Sequence, residues 1–206
     1  MSEYYEKINW DINFQKYIDL LIKHGIPSAT SSNLIIRATD IFHIIPEVNR
    51  LNQLLKDKQY KIVSASIVNT NPNIFGGIHV DKTQSNRPLQ LRLNIPIENS
   101  TSMVNRWYDI SNTPYSVIDW DYQPKAMTEG DKWFLTNSEK MVNEYCLDSL
   151  ILEGPTFFKS SVPHNVDGRY SSVRRRILSI LFSNSTLNRI ADWDERKTIL
   201  ECINNI

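Results

Sequence analysis

The chain has 206 residues, 41% hydrophobic and 22% charged, a balance typical of folded proteins and unlike that of disordered ones. Its 23 Lys and Arg equal its 23 Asp and Glu, so no strong net field favours nucleic acid or an acidic membrane as partner. The two cysteines, Cys146 and Cys202, show no CxxC or paired spacing, which argues against a disulfide framework or a cysteine zinc site.

The opening stretch, MSEYYEKINWDINFQK, has no positive region followed by an apolar block and does not read as a signal peptide. No window approaches the roughly 18 consecutive apolar residues of a membrane span. With the cysteine usage of a reducing compartment, this gives the expectation of a cytoplasmic protein with no membrane partner. Residues 1–58 read as helical. INFQKYIDLLIKHG places Phe14, Ile18, Leu21 and Ile22 on one face and stops at Gly25. PEVNRLNQLLKDK starts with Pro46, favoured in a first helical turn, and sets Val48, Leu51, Leu54 and Leu55 along an apolar stripe.

From Tyr60 the pattern becomes short runs rich in β-branched and aromatic residues, among them YKIVSASIVN, FGGIHVD, LQLRLNIPIE, VPHNV and VRRRILSILFS. Asn-Pro, Glu-Gly and Asp-Gly separate them. Such spacing predicts a mainly β protein with flanking helices, built as a sandwich or jelly roll. The core spans about 60–183 and a closing helix about 190–204, in a single domain over 1–206.

Only four histidines occur. His24 beside Gly25 suits a helix end, where it meets the dipole, and His43 in IFHIIP reads as a packed side chain. His79 and Asp81 differ. Two apart on an extended strand, they point to the same side. His164 follows in SSVPHNV, again a short strand after a turn. Two imidazoles and one carboxylate form the facial ligand set of non-haem Fe(II) oxygenases, which leaves positions open for co-substrate and O2. The H-x-D tripeptide alone is a weak signal.

Eleven residues after His164 comes Arg175, inside SSVRRRILSILFS. Alternation puts Arg175, Ile177, Ser179 and Leu181 on one face and Arg174, Arg176, Leu178, Ile180 and Phe182 on the other. Beyond the arginines both faces are apolar, so the strand is expected to be buried on both sides. At least one arginine then requires a partner or an anionic ligand.

HVD, VPHNV and an arginine heading RRILSILF together resemble the Fe(II)/2-oxoglutarate-dependent dioxygenase superfamily. The resemblance covers about 60–183 and implies a double-stranded β-helix, a cupin-like jelly roll. It implies Fe(II) on His79, Asp81 and His164, which would be the catalytic centre, with 2-oxoglutarate and O2 as co-substrates. Arg175 is the best match for the basic residue that pairs with the far carboxylate of 2-oxoglutarate, and Ser179 matches the small hydroxyl residue four positions on. PLQLRLNIPIENS resembles the strand after the proximal histidine in aspartyl/asparaginyl β-hydroxylase-like members. There Arg92 and Asn94 match residues lining the co-substrate pocket, although a solvent-facing arginine and an edge-strand asparagine are the plain alternative. Those hydroxylases lack the carboxylate ligand. Asp81 instead matches prolyl hydroxylases and phytanoyl-CoA dioxygenase-like proteins, which leaves the subfamily open.

The activity implied is hydroxylation of a small molecule or a protein or peptide side chain, with release of succinate and CO2. Trp107, Tyr108 and Trp120 are candidate mouth residues, with the core as their alternative, and 111–147, with Pro114, Pro124 and Gly130, is the expected place for substrate loops. The competing readings are a cupin-like metal-dependent isomerase, a metal- and sugar-binding jelly roll without oxygenase activity, and a lectin-like structural jelly roll in which the three ligands do not converge. The sequence leaves the oligomeric state open.

Overall fold

The computed structural model describes residues 2–28, 33–81, 91–114 and 136–206. Within them the strands are β1 (Tyr5–Lys7), β2 (Ile26–Pro27), β3 (Leu34–Ile36), β4 (Tyr60–Thr70), β5 (Leu91–Glu98), β6 (Val104–Tyr108), β7 (Cys146–Ile151), β8 (Thr156–Lys159), β9 (His164–Asp167), β10 (Arg175–Asn184) and β11 (Arg189–Ile190). The major sheet runs β1-β8-β5-β10-β4-β3-β2, with β11 also on β10, and the minor sheet runs β7-β6-β9. Every pairing is antiparallel. This is the expected mainly β architecture with flanking helices.

The two faces of the major sheet are lined differently, and the alternation of β10 and β5 shows why. Leu178, Ile180 and Phe182 of β10 and Leu91, Leu93, Ile95 and Ile97 of β5 enter one large apolar core. The helices cover that core. They are α1 (Ile18–His24), α2 (Ala38–Ile44), α3 (Pro46–Asp57) and α4 (Arg196–Ile203). α3 buries Val48, Leu51 and Leu55 of the expected stripe, with Leu54 partly buried against the same core, and α4 adds Ile199, Cys202 and Ile203. A capping box between Asp192 and Glu195 closes the 3-10 turn, Trp193–Glu195, that leads into α4.

The opposite face carries Ile177 of β10 and Phe158 of β8, which pack with Trp107 of β6 and Leu150 of β7 between the sheets. Tyr4 and Tyr5 stack on Trp107 with ring centroids 6.2 and 5.5 Å away. Trp107 and Tyr108 are both fully buried, so neither lines a mouth. Trp120, Pro124 and Gly130 lie outside the described residues.

Three details differ from the sequence reading. The region 1–58 is helical in its longer elements, yet it also supplies β1, β2 and β3 to the edges of the major sheet. β1 pairs with β8, about 150 residues downstream, a partner that no local pattern reveals. His43 is exposed and not packed, because α2 turns Ile41 and Ile44 inward and leaves 43 on its outer side.

Candidate metal centre

FGGIHVD is held as a strand-like ribbon against β9, bridging at Phe75–Asp167 and His79–His164. The backbones of His79 and His164 exchange both hydrogen bonds at 2.9 Å, and the Asp81 amide donates to the Ser160 carbonyl at 3.0 Å. This narrow pairing explains the glycine at 76. A Cβ there would lie 3.0 Å from the Val166 carbonyl oxygen, so the ribbon could not sit so close. Asn165, fully buried, braces the same stretch: its Nδ2 donates to the Gly76 carbonyl at 2.7 Å, and its Oδ1 accepts from the Tyr108 hydroxyl at 3.0 Å. No local pattern marks this brace, because the partners of Asn165 are set by pairing between segments far apart in the chain.

His79, Asp81 and His164 converge. One ligand atom from each lies within 4.8 Å of the other two, the spacing of groups around a single ion. His79 Nδ1 lies 3.0 Å from the Gly77 carbonyl and His164 Nδ1 lies 2.8 Å from the Val162 carbonyl. A carbonyl only accepts, so each of these bonds requires the proton on Nδ1 and leaves the lone pair on Nε2. His79 Nε2 faces Asp81 Oδ1 at 3.8 Å. The imidazole rings lie 4.5 Å apart, centroid to centroid.

Electrostatics favour the ligand-competent forms. Burial pushes the Asp81 carboxyl up, but Arg92 and the two imidazoles outweigh it and hold it down at about 2. Burial, with His79 beside it, lowers His164 to about 4, so its imidazole is neutral near pH 7. A carboxylate and imidazole nitrogens with free lone pairs are the donor set that a divalent first-row cation takes.

Arg92 Nε approaches Asp81 Oδ2 at 2.5 Å, with both side chains about four-fifths buried. Coulomb attraction is the larger part of this contact's hold on the Asp81 charge. Arg92 Nη1 also donates to Ser179 Oγ at 3.3 Å. Ser179 lies opposite Asn94 in the β10–β5 ladder, and Asn94 is buried with its Oδ1 unpartnered among the described residues. Arg92, Asn94 and Ser179 therefore share the sandwich-facing side of the major sheet; the solvent-facing arginine and edge-strand asparagine do not occur.

Of the three consecutive arginines, Arg175 is the inward one, at 1% exposure. Arg176 pairs with Glu98 at 2.5 Å, and Arg174 is exposed. Arg175 Nη2 donates to Asn105 Oδ1 at 3.0 Å, whereas its Nε has no hydrogen-bond partner among the described residues. No carboxylate among the described residues pairs with it, and burial lowers its pKa to about 10. A buried guanidinium without a counter-charge is costly, and an anionic ligand is the ordinary remedy.

No family model matches the chain, and no curated protein matches it. Solved structures similar to it include EvdMO1, at 14% identity and TM-score 0.46, covering 88% of this chain; this chain spans about half, 47%, of that one. HygX from Streptomyces hygroscopicus with nickel and 2-oxoglutarate bound is 5% identical with TM-score 0.48, covering 88% of this chain and 83% of its own. EctD from S. alaskensis with 2-oxoglutarate and 5-hydroxyectoine is 12% identical with TM-score 0.49, covering 91% of this chain and 74% of its own. At these identities and scores the likeness carries no argument about chemistry, which rests on the side chains described above.

Proposed function

We propose that the chain, as one domain over 1–206, is an Fe(II)- and 2-oxoglutarate-dependent dioxygenase that hydroxylates a small molecule or a protein side chain. The observation that carries this reading is the convergence of His79, Asp81 and His164 within 4.8 Å. The buried Arg175 charge, which no carboxylate among the described residues meets, supports it.

The residues fit the group. His79 and His164 would hold Fe(II) through Nε2 and Asp81 through Oδ1, with Oδ2 kept by Arg92. When bound, iron and 2-oxoglutarate supply O2 activation and oxidation of a substrate C–H bond, with succinate and CO2 as co-products. The protein's part is geometric and electrostatic. The carbonyls of Gly77 and Val162 fix the imidazole orientation and tautomer, as the outer partners of metal-bound histidines do. Arg175 offers donors to the far carboxylate of 2-oxoglutarate. Ser179 and Asn94 are polar groups on the same sheet face that suit the remaining oxygens of that co-substrate.

Succinate release with Fe(II), 2-oxoglutarate and O2, with His79→Ala as control, tests the reading. The expected result is iron-dependent succinate from the wild type and none from the variant. Tight metal binding with no consumption of 2-oxoglutarate under any substrate screened would favour the metal-dependent isomerase or sugar-binding jelly roll. Absence of stoichiometric metal would overturn both.

A further inference from the structure

Arg175 is held by a neutral group where a buried cation ordinarily meets a carboxylate. Its partner, Asn105, is itself 4% exposed. Asn105 Oδ1 accepts from Arg175 Nη2 at 3.0 Å while its Nδ2 donates to the Leu150 carbonyl at 3.1 Å, both bonds in the interior. One amide thus ties β10 of the major sheet to β6 and β7 of the minor sheet, and fixes the guanidinium fork from one corner. The amide carries no charge, so the fork keeps its own. Arg92, by contrast, has its charge met by Asp81.

We propose that Asn105 is the positioning residue that makes the site select a dicarboxylic 2-oxo acid over a monocarboxylic one. This rests on the oxygenase reading above. The amide oxygen orients Arg175, and its neutrality leaves the positive charge for the far carboxylate of the co-substrate. An aspartate of the same shape would fill that role from inside the protein, and the incoming carboxylate would have to compete with it. The amide donor to Leu150 gives a second reason for asparagine, since a carboxylate oxygen would face that carbonyl with no proton to offer.

The test uses the full chain loaded with Ni(II) as a redox-inert probe. Dissociation constants are measured by calorimetry for 2-oxoglutarate and for 2-oxopentanoate, which has a methyl group in place of the far carboxylate. The wild type is expected to prefer 2-oxoglutarate by about tenfold or more. In Asn105→Asp that preference collapses toward unity, because 2-oxoglutarate weakens while 2-oxopentanoate and Ni(II) bind as before. A purely structural role for Asn105 would weaken both acids alike. An unchanged ratio, or a parallel loss of both acids, overturns the proposal.

Should Asn105→Asp fail to fold, Asn105→Ala serves. It removes the orienting acceptor without adding charge, and a several-fold loss for 2-oxoglutarate alone is expected; equal or no change for the two acids is the overturning result. A wild type that holds Ni(II) but shows no preference between the acids removes the assigned role of Arg175, and the Asn105 role with it. A wild type that holds no metal fails the oxygenase reading itself.

Discussion

The two faces of the major sheet come from the same strands and have opposite characters. Toward the helices, Leu91, Leu93, Ile95 and Ile97 of β5 and Leu178, Ile180 and Phe182 of β10 form one apolar core that also takes in Trp10 and Ile203. Toward the minor sheet, the same two strands add Arg92, Asn94, Arg175 and Ser179, all buried or largely so, beside the apolar Ile177. The first face is built for stability. The second accepts a buried charge and unpartnered polar atoms, which lower stability and make sense where a ligand completes them.

Substitutions on the two faces should therefore separate folding from binding. Ile180→Ala, in the helix-facing core, is expected to cost about 2–5 kcal/mol in denaturant unfolding, while the folded fraction keeps its metal affinity. Arg175→Met should do the reverse. Losing a charge-assisted contact weakens 2-oxoglutarate binding by about 2–3 kcal/mol. The unfolding free energy of the ligand-free protein should stay level or rise, because an uncompensated buried charge has gone. A large loss of stability in Arg175→Met would erase the distinction between the faces.

A narrower test is pH. In the folded ligand-free protein burial and His79 hold His164 at about 4, whereas unfolding returns it to an ordinary value near 6.5. Between these values the unfolded chain binds more protons, so stability falls as pH drops through that window and is insensitive to His164 above it. Unfolding midpoints above and inside the window check the slope, which His164→Gln should flatten. The smallest effect is at the ribbon that carries the ligands. Gly76→Ala should cost about 1 kcal/mol as the backbone yields around Val166, with weaker metal binding as the companion readout.

The alternation in RRRILSILF was enough to divide β10 into its two faces, because a strand has a fixed period and this one is long. The pairing of His79 with Asp81 followed from the same period, although the stretch forms only isolated bridges and no regular strand. His164 could be proposed from its strand context, and it does face His79. Neither Asn105 nor Asn165 was legible, since each owes its partners to a sheet or ribbon far off in sequence. The short edge strands β1 to β3 were hidden for the same reason, and His43 was misjudged because the apolar letters around it belong to a helix.

The backbone exchange between His79 and His164 joins positions 85 apart in the chain. An ion held by both side chains would act as a clasp on that junction, adding a side-chain link to a long loop that backbone hydrogen bonds and the Asn165 brace already close. Metal should then slow hydrogen–deuterium exchange at the His79 and His164 amides more than at Ile180, whose protection already reflects the whole fold.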